Sequence, residues 1–402
     1  MSLLAPSSGD FPVLPHTGVA YLDSAATSQT PLPVIEAMDA YYREYRASIH
    51  RGIYPLAAAA TEAYEGARDK VAAFTGSTPG ETVFTRNATE AINLVGYAWG
   101  GANVAAGDLI VVTEMEHHSN LVPWQLLAER TGAELGYVPI DDEGLLVLDE
   151  LDALLARGPK LVAVAHASNV LSTVNPVAEI ARRAHAAGAV VLVDGSQAAP
   201  HMPVHVGALG ADFYAWTAHK AYGPTGIGVL HGRREILEAM PPFLGGGHMI
   251  SRVERFESRW AEPPMKFEAG TSPIAEAVGL GAAVDYLSRL GMPAVREHGQ
   301  EIAAYALERL GEVEGLTIHG PRDLEQRGSV ISFAMDGLHP HDVAEILGRE
   351  GICVRAGHHC AQVLMQRLGV TATTRASIAV HTTRDDIDRL IAGLARVQEI
   401  FA

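Results

Sequence analysis

The sequence predicts an α/β fold: a large, mostly parallel sheet flanked by helices, with a smaller α+β domain after it. Three observations carry this. Helical and strand patterns alternate over most of the chain, as in a parallel sheet covered by its crossover helices. Short apolar runs end in polar, chemistry-capable residues, and open α/β sheets bind ligands at the carboxyl ends of their strands. Beyond about residue 290 the pattern changes to a mixture of helices and short strands. The expected division is 24–290 for the large domain, and 1–23 with 291–402 for the small one.

In the large domain, helical spacing covers 33–46, 59–75 and 88–99. Apolar strand-like runs follow at 109–113, 161–165, 190–193, 213–216 and 226–230, each short and bounded by turn residues. The crossover at 176–187 has helical composition. A Gly/Pro-rich stretch at 241–250 reads as a mobile loop, and a long helix is expected from about 272 to 290. The small domain is expected to hold a strand at 330–333, a helix at 340–350, a strand at 353–355 and a last helix from Arg384.

The 402 residues are 48% hydrophobic and 19% charged, which suits a soluble enzyme with a large core. A formal net charge of -17 argues against nucleic acid or an anionic membrane as partner. No apolar run is long enough for a membrane span. Met1 to Phe11 carries no Lys or Arg, so no secretory signal is expected there. Cys353 and Cys360 are the only cysteines. That excludes a disulfide scaffold and suits a reducing, cytoplasmic setting.

The most informative residue is Lys220. It follows the apolar run 212–216 and precedes a Gly/Pro turn. Lysine is seldom buried without a partner. At the carboxyl end of a central strand it becomes a desolvated amine of lowered pKa, able to attack a carbonyl. Other runs end comparably: 109–113 leads to Glu116, His117 and His118, 161–165 to His166 and Asn169, and 190–193 to Asp194 and Gln197. An Asp after a strand is more often a turn or cap residue than a functional one. Four such ends in one sheet weaken that reading.

An aromatic nitrogen heterocycle with an aldehyde and a phosphate would use all of them. Lys220 would form the Schiff base, and Asp194 would pair with the protonated ring nitrogen. Gln197 and Asn169 can hydrogen-bond the ring hydroxyl, and His117 can stack on the ring face. The turn Arg86-Asn87-Ala88-Thr89-Glu90 opens a helix, with Ala88 and Thr89 placed to meet the phosphate. Thr217 and His219 add donors beside the lysine. Cys360, in Arg355-Ala-Gly-His-His-Cys360, has three readings: a metal ligand with His358 and His359, a packed inert thiol, or a reactive nucleophile on an exposed loop. Contiguous residues cannot all face one ion. Arg375 reads either as a carboxylate anchor or as a surface ion pair.

These motifs resemble the fold-type I (aspartate aminotransferase-like) pyridoxal phosphate enzymes of class V. More narrowly, they resemble the group II cysteine desulfurases of Suf-type iron–sulfur cluster assembly. The resemblance rests on Tyr21-Leu-Asp-Ser-Ala-Ala-Thr27, His50-Arg-Gly52, Asn87-Ala-Thr-Glu90 and Glu116-His-His-Ser-Asn120. It continues through Ser168-Asn-Val170, Val193-Asp-Gly-Ser-Gln-Ala198, Thr217-Ala-His-Lys-Ala-Tyr-Gly-Pro224 and Phe267-Glu-Ala-Gly-Thr271. The Arg355-to-Cys360 loop and Arg375-Ala-Ser377 complete it. Ala356, Gln362 and Ser272 depart from the usual pattern.

The resemblance implies a seven-stranded large-domain sheet and pyridoxal 5'-phosphate bound through Lys220. It implies release of L-alanine from L-cysteine, with the sulfur left as a persulfide on Cys360. Lys220 or His117 would move protons. Arg375 would hold the substrate carboxylate, with Arg355 and Asn169 beside it. Thr271 would reach the phosphate of the other subunit in a homodimer. A small Suf-type sulfur carrier is the implied partner, and no metal is implied. A selenocysteine lyase on the same fold is the close alternative; a non-catalytic sulfur-binding scaffold is the distant one.

Overall fold

The computed structural model describes residues 8–401; residues 1–7 of the expected small domain, with most of the 1–11 reading, lie outside them. A seven-stranded sheet forms the larger body, in the spatial order Thr82–Thr85, Gly228–Gly232, Phe213–Thr217, Val190–Asp194, Leu161–Ala165, Leu109–Thr113 and Glu134–Val138. Only Gly228–Gly232 runs antiparallel to its neighbours; the remaining pairings are parallel. The inner strands are buried along their length, apart from Val190 at the start of its strand, which is why they read as apolar runs. The mostly parallel expectation therefore holds. Thr82–Thr85 and Glu134–Val138 escaped the sequence reading because they carry Thr, Glu and Gly rather than an aliphatic run.

A second, fully antiparallel sheet has the order Leu316–His319, Val330–Met335, Thr373–Ser377 and Arg355–Gly357. It packs on Met292–Gly311 and Arg384–Phe401 around a separate apolar cluster that includes Phe333, Leu347 and Leu390. The strand expected at 353–355 is corrected. It is split into Ile352–Cys353, which pairs in parallel with Ala20–Tyr21, and Arg355–Gly357, which joins the antiparallel sheet. The break lets one short segment serve two sheets and turns Arg355 toward the first body.

Helix expectations hold with shifted ends. Leu32–Ala40 and Ala88–Leu94 each run on into a π-helical stretch, Tyr41–Tyr45 and Val95–Gly100. Pro55–Phe74 starts earlier than expected because Pro55 suits a first helical turn. The 241–249 stretch is irregular, as its glycines suggest, but it leads into an unforeseen hairpin, Ile250–Val253 with Ser258–Trp260. No helix among the described residues is long and apolar enough to cross a membrane.

One buried ion pair ties the helix Pro55–Phe74 to the first strand of the large sheet. Glu268 accepts from Arg68 Nη1 at 2.6 Å and Nη2 at 2.9 Å, from Tyr64 Oη at 3.1 Å and from the Phe84 amide at 2.7 Å. Both side chains are almost wholly buried. Removing one partner leaves a buried charge alone. Glu268→Ala should cost about 3–5 kcal/mol in urea unfolding; a loss under about 1 kcal/mol would show that the pair is not structurally important.

Candidate active site

The strand ends converge as the alternation predicts. A cavity of about 230 Å³ is lined by Ala88, Thr89, His117, Asn169, Asp194, Gln197, Thr217, His219, Lys220, Arg355 and Arg375. Lys220 closes a 3-10 turn, Ala218–Lys220, directly after its buried strand. The turn is pinned from across the cavity. The His219 carbonyl accepts from the Ser28 amide at 2.8 Å, from Ser28 Oγ at 3.0 Å and from Thr27 Oγ1 at 3.2 Å. Thr27 closes the N-terminal motif, and Ser28 is the residue that follows it. Burial pushes the Lys220 ammonium down to about 8. Asp194 and Cys360 pull it up, and Arg375 and Arg355 add to the lowering.

Asp194 ends its strand, and its Oδ1 accepts from the Ser196 amide at 3.0 Å. Gly195 is required beside it: a Cβ there would fall 2.1 Å from the Tyr214 ring. Gln197 Nε2 donates to the Ala25 carbonyl at 2.9 Å. Gln197 Oε1 and Thr217 Oγ1 are buried without any protein partner. Such groups are costly unless something else bonds them.

His117 lines the cavity with its Nδ1 accepting from the Ser119 amide at 3.1 Å, which places the proton of the neutral ring on Nε2. Burial, then the nearby Lys220 charge, pushes its pKa down to about 3. The preceding Glu116 is a strand-end tie and not a lining residue. It accepts from Thr113 Oγ1 at 2.7 Å, Asn120 Nδ2 at 2.6 Å and the Ala165 amide at 2.9 Å.

The turn 86–90 forms a reciprocal cap. Asn87 Oδ1 accepts from the Glu90 amide at 2.9 Å, and the Glu90 carboxylate accepts from the Arg86 amide. The start of this helix backs closely onto Gly228, where a Cβ would meet Asn87 C at 2.4 Å and the Ala88 amide at 2.9 Å. The close approach leaves Ala88 and Thr89 at the cavity wall.

The second body contributes a wall and a loop. Arg375 Nη1 donates to the Asn169 carbonyl at 3.0 Å, and Nη2 reaches Asp23 Oδ1 at 3.3 Å. Arg375 is therefore a buried cavity residue, and the surface-pair reading falls. Burial brings its pKa down to about 10. Cys360 stands on a left-handed turn with φ 50° at His359 and 57° at Cys360. Arg355 Nη2 lies 4.0 Å from its Sγ. Asn169 Nδ2 donates to the His359 carbonyl at 2.7 Å, so this side chain holds the cysteine loop.

Two of the expected site residues do not line the cavity. Cys360 lies beside it, near Arg355. Thr271 lies on adjoining cavities with Arg51, Arg86 and Glu276. His359, which the sequence reading considered only as a metal ligand, does line it. His359 Nε2 bonds to Thr373, and its Nδ1 is buried without a partner. The signal was its contiguity with Cys360, since neighbours in a tight turn point to different sides.

The fold and this cavity define an α/β enzyme site with a strand-end amine. The Aminotransferase class-V family model matches residues 20–390, and the chain belongs to that family. A probable cysteine desulfurase of Halalkalibacterium halodurans is 50% identical over 97% of both chains. One of Streptomyces coelicolor is 51% identical over 98% of this chain and 96% of its own. Among solved structures, the apo cysteine desulfurase of Thermococcus onnurineus is 42% identical with a TM-score of 0.94, covering 97% of this chain and 96% of its own.

The Lys220 amine must be neutral to attack an aldehyde. Its pKa of about 8 sets the expectation that trapping of an aromatic aldehyde on Lys220 accelerates as pH rises to about 8 and then levels. Borohydride reduction and peptide mapping measure this. A profile still rising steeply at pH 10 would mean that burial does not depress the amine.

Proposed function

We propose that this chain is a pyridoxal 5'-phosphate-dependent cysteine desulfurase, converting L-cysteine and the Cys360 thiol into L-alanine and a Cys360 persulfide. The observation that carries it is a buried strand-end lysine in a cavity whose wall includes Arg355, with the loop cysteine Cys360 beside that cavity, 4.0 Å from Arg355 Nη2. The residues fit the cofactor. Asp194 offers a carboxylate for a ring nitrogen, Thr217 Oγ1 and Gln197 Oε1 are buried and unpartnered, and Ala88 and Thr89 open a helix on the wall. Bound there, the cofactor supplies an electron sink for bond breaking at the substrate carbons.

The chain's own residues do the rest. Lys220 would give the amine that holds the cofactor and would be the base that moves a proton. His117, kept neutral by burial, would cover a ring face and assist that transfer. Arg375 anchors the substrate carboxylate, with Asn169 and Arg355 beside it. His219 and Thr217 complete the donors near the lysine. The Cys360 thiolate attacks the substrate sulfur: an S–S bond forms, the carbon–sulfur bond breaks, and alanine leaves.

Around this core, we take 24–290 as the cofactor-binding domain, and 1–23 with 291–402 as the domain bearing the cysteine loop. Thr271 serves the phosphate site of a second copy in a homodimer. The persulfide passes to a small Suf-type carrier for iron–sulfur cluster assembly in the cytoplasm, a setting that suits two free cysteines.

Lys220→Ala should lose both the yellow colour of the loaded protein and alanine release. Cys360→Ala should keep the colour and bind L-cysteine but form no persulfide and release alanine at a small fraction of the normal rate. Spectra and an alanine assay with a thiol reductant measure both. Normal alanine release by Cys360→Ala would overturn the nucleophile assignment. Turnover of selenocysteine alone, undiminished by that substitution, would make the enzyme a selenocysteine lyase.

A further inference from the structure

Arg355 and Arg375 are direct antiparallel partners, and both line the cavity. Like charges opposite one another on a ladder repel. The Arg375 side chain is only 2% exposed, so water screens the repulsion little. One carboxylate answers the two guanidinium groups: Asp23 Oδ1, 3.3 Å from Arg375 Nη2.

Asp23 stands behind Arg375 while its neighbours Ala25 and Ala26 line the cavity. Its position is fixed by the strand that carries Arg375. Asp23 bridges Ser377, the Ser377 amide donates to the Leu22 carbonyl at 2.8 Å, and the Ala25 amide donates to Ser377 Oγ at 3.0 Å. Lys220 and Asp194 line the same cavity and answer each other, and the other groups in this field add no charge that would replace Asp23. His117 and His359 are pushed by burial to about 3 and stay neutral. Burial, and then the Asp23 charge, also raises Cys353 and Tyr21 and so keeps them uncharged. Cys360 faces Arg355.

We infer that Asp23 sets the charge of the substrate site: it cancels one of the two guanidinium charges, so the cavity offers one positive charge, matched to the single carboxylate of a neutral α-amino acid and a poor host for dianions. Asp23 is then a specificity-determining residue that acts through Arg375. The inference rests on reading Arg375 as the anchor of the substrate carboxylate.

The probe is sulfate, tested on the cofactor-loaded enzyme as an inhibitor competing with L-cysteine and as a thermal stabiliser. In Asp23→Asn, sulfate should inhibit at a roughly ten-fold lower concentration and raise the melting temperature more than in the parent protein, because a dianion now meets two unopposed cations. Asp23→Asn with Arg355→Gln restores the charge count and should return sulfate to the parental potency. If Asp23→Asn alone fails to fold, the double variant is compared with Arg355→Gln, which should bind sulfate more weakly than the double variant. Equal sulfate sensitivity in parent and Asp23→Asn, or in Arg355→Gln and the double variant, overturns the inference. If the parent protein releases no alanine from L-cysteine, the functional reading fails instead, and the thermal response to sulfate still decides the role of Asp23.

Discussion

A desolvated amine beside a carboxylate is the constraint on which the rest of the site depends. Lys220 can be neutral near pH 8 only because burial removes water from its ammonium. It can be buried at all because Asp194 answers the charge from the end of the next strand, where Asp194 pairs with Ala215. Parallel pairing puts both residues at the same sheet edge. Side chains from elsewhere in the chain hold them there. Ser28 and Thr27 fix the lysine turn through the His219 carbonyl, and Glu116 draws the 113, 120 and 165 positions together beside Asp194.

The second body is joined to this edge through polar contacts that also build the chemistry. Arg375 donates to the Asn169 carbonyl, Asn169 donates to the His359 carbonyl, and the His118 amide donates to the Cys360 carbonyl at 2.7 Å. Tyr222, two residues past the lysine, accepts from the Val380 amide at 3.0 Å while its own amide donates to Ser28 Oγ at 2.8 Å. Displacing either body would therefore disturb the lysine turn, the arginine and the cysteine loop together. Tyr222 also has φ 63°, uncommon for a residue with a bulky side chain.

How legible all this was in the sequence depended on whether a residue's role came from its own segment or from another. Buried inner strands declare themselves as apolar runs, and their polar ends mark the cavity, so Asp194, Gln197, Thr217 and Lys220 could be placed early. The outer strands Thr82–Thr85 and Glu134–Val138 carry mixed sequences and were missed. So was the split at Val354, because pairing of one segment with two distant strands leaves no local mark. Asp23 and His359 stood inside recognised motifs, yet their roles come from residues outside those motifs, Arg375 at the other end of the chain and Thr373 on the neighbouring strand. Sequence spacing gives no sign of such long-range contacts.

The cysteine loop shows what those contacts achieve. His359 and Cys360 both adopt left-handed backbone, which costs residues with side chains about 1–3 kcal/mol each. Such a turn survives only if its surroundings over-determine it, and here they do. His358 Nδ1 accepts from the Cys360 amide at 3.0 Å, His118 Nε2 accepts from the Gln362 amide at 3.1 Å, and Asn169 and the His118 amide hold the two strained carbonyls. A relaxed loop could make few of these bonds at once. The strain is what turns consecutive side chains apart, sending His359 inward to Thr373 while Cys360 stays half-buried beside Arg355. A sulfur that must reach a bound substrate and then an outside acceptor needs such an intermediate position. The same tight turn explains why His358, His359 and Cys360 cannot gather around one ion.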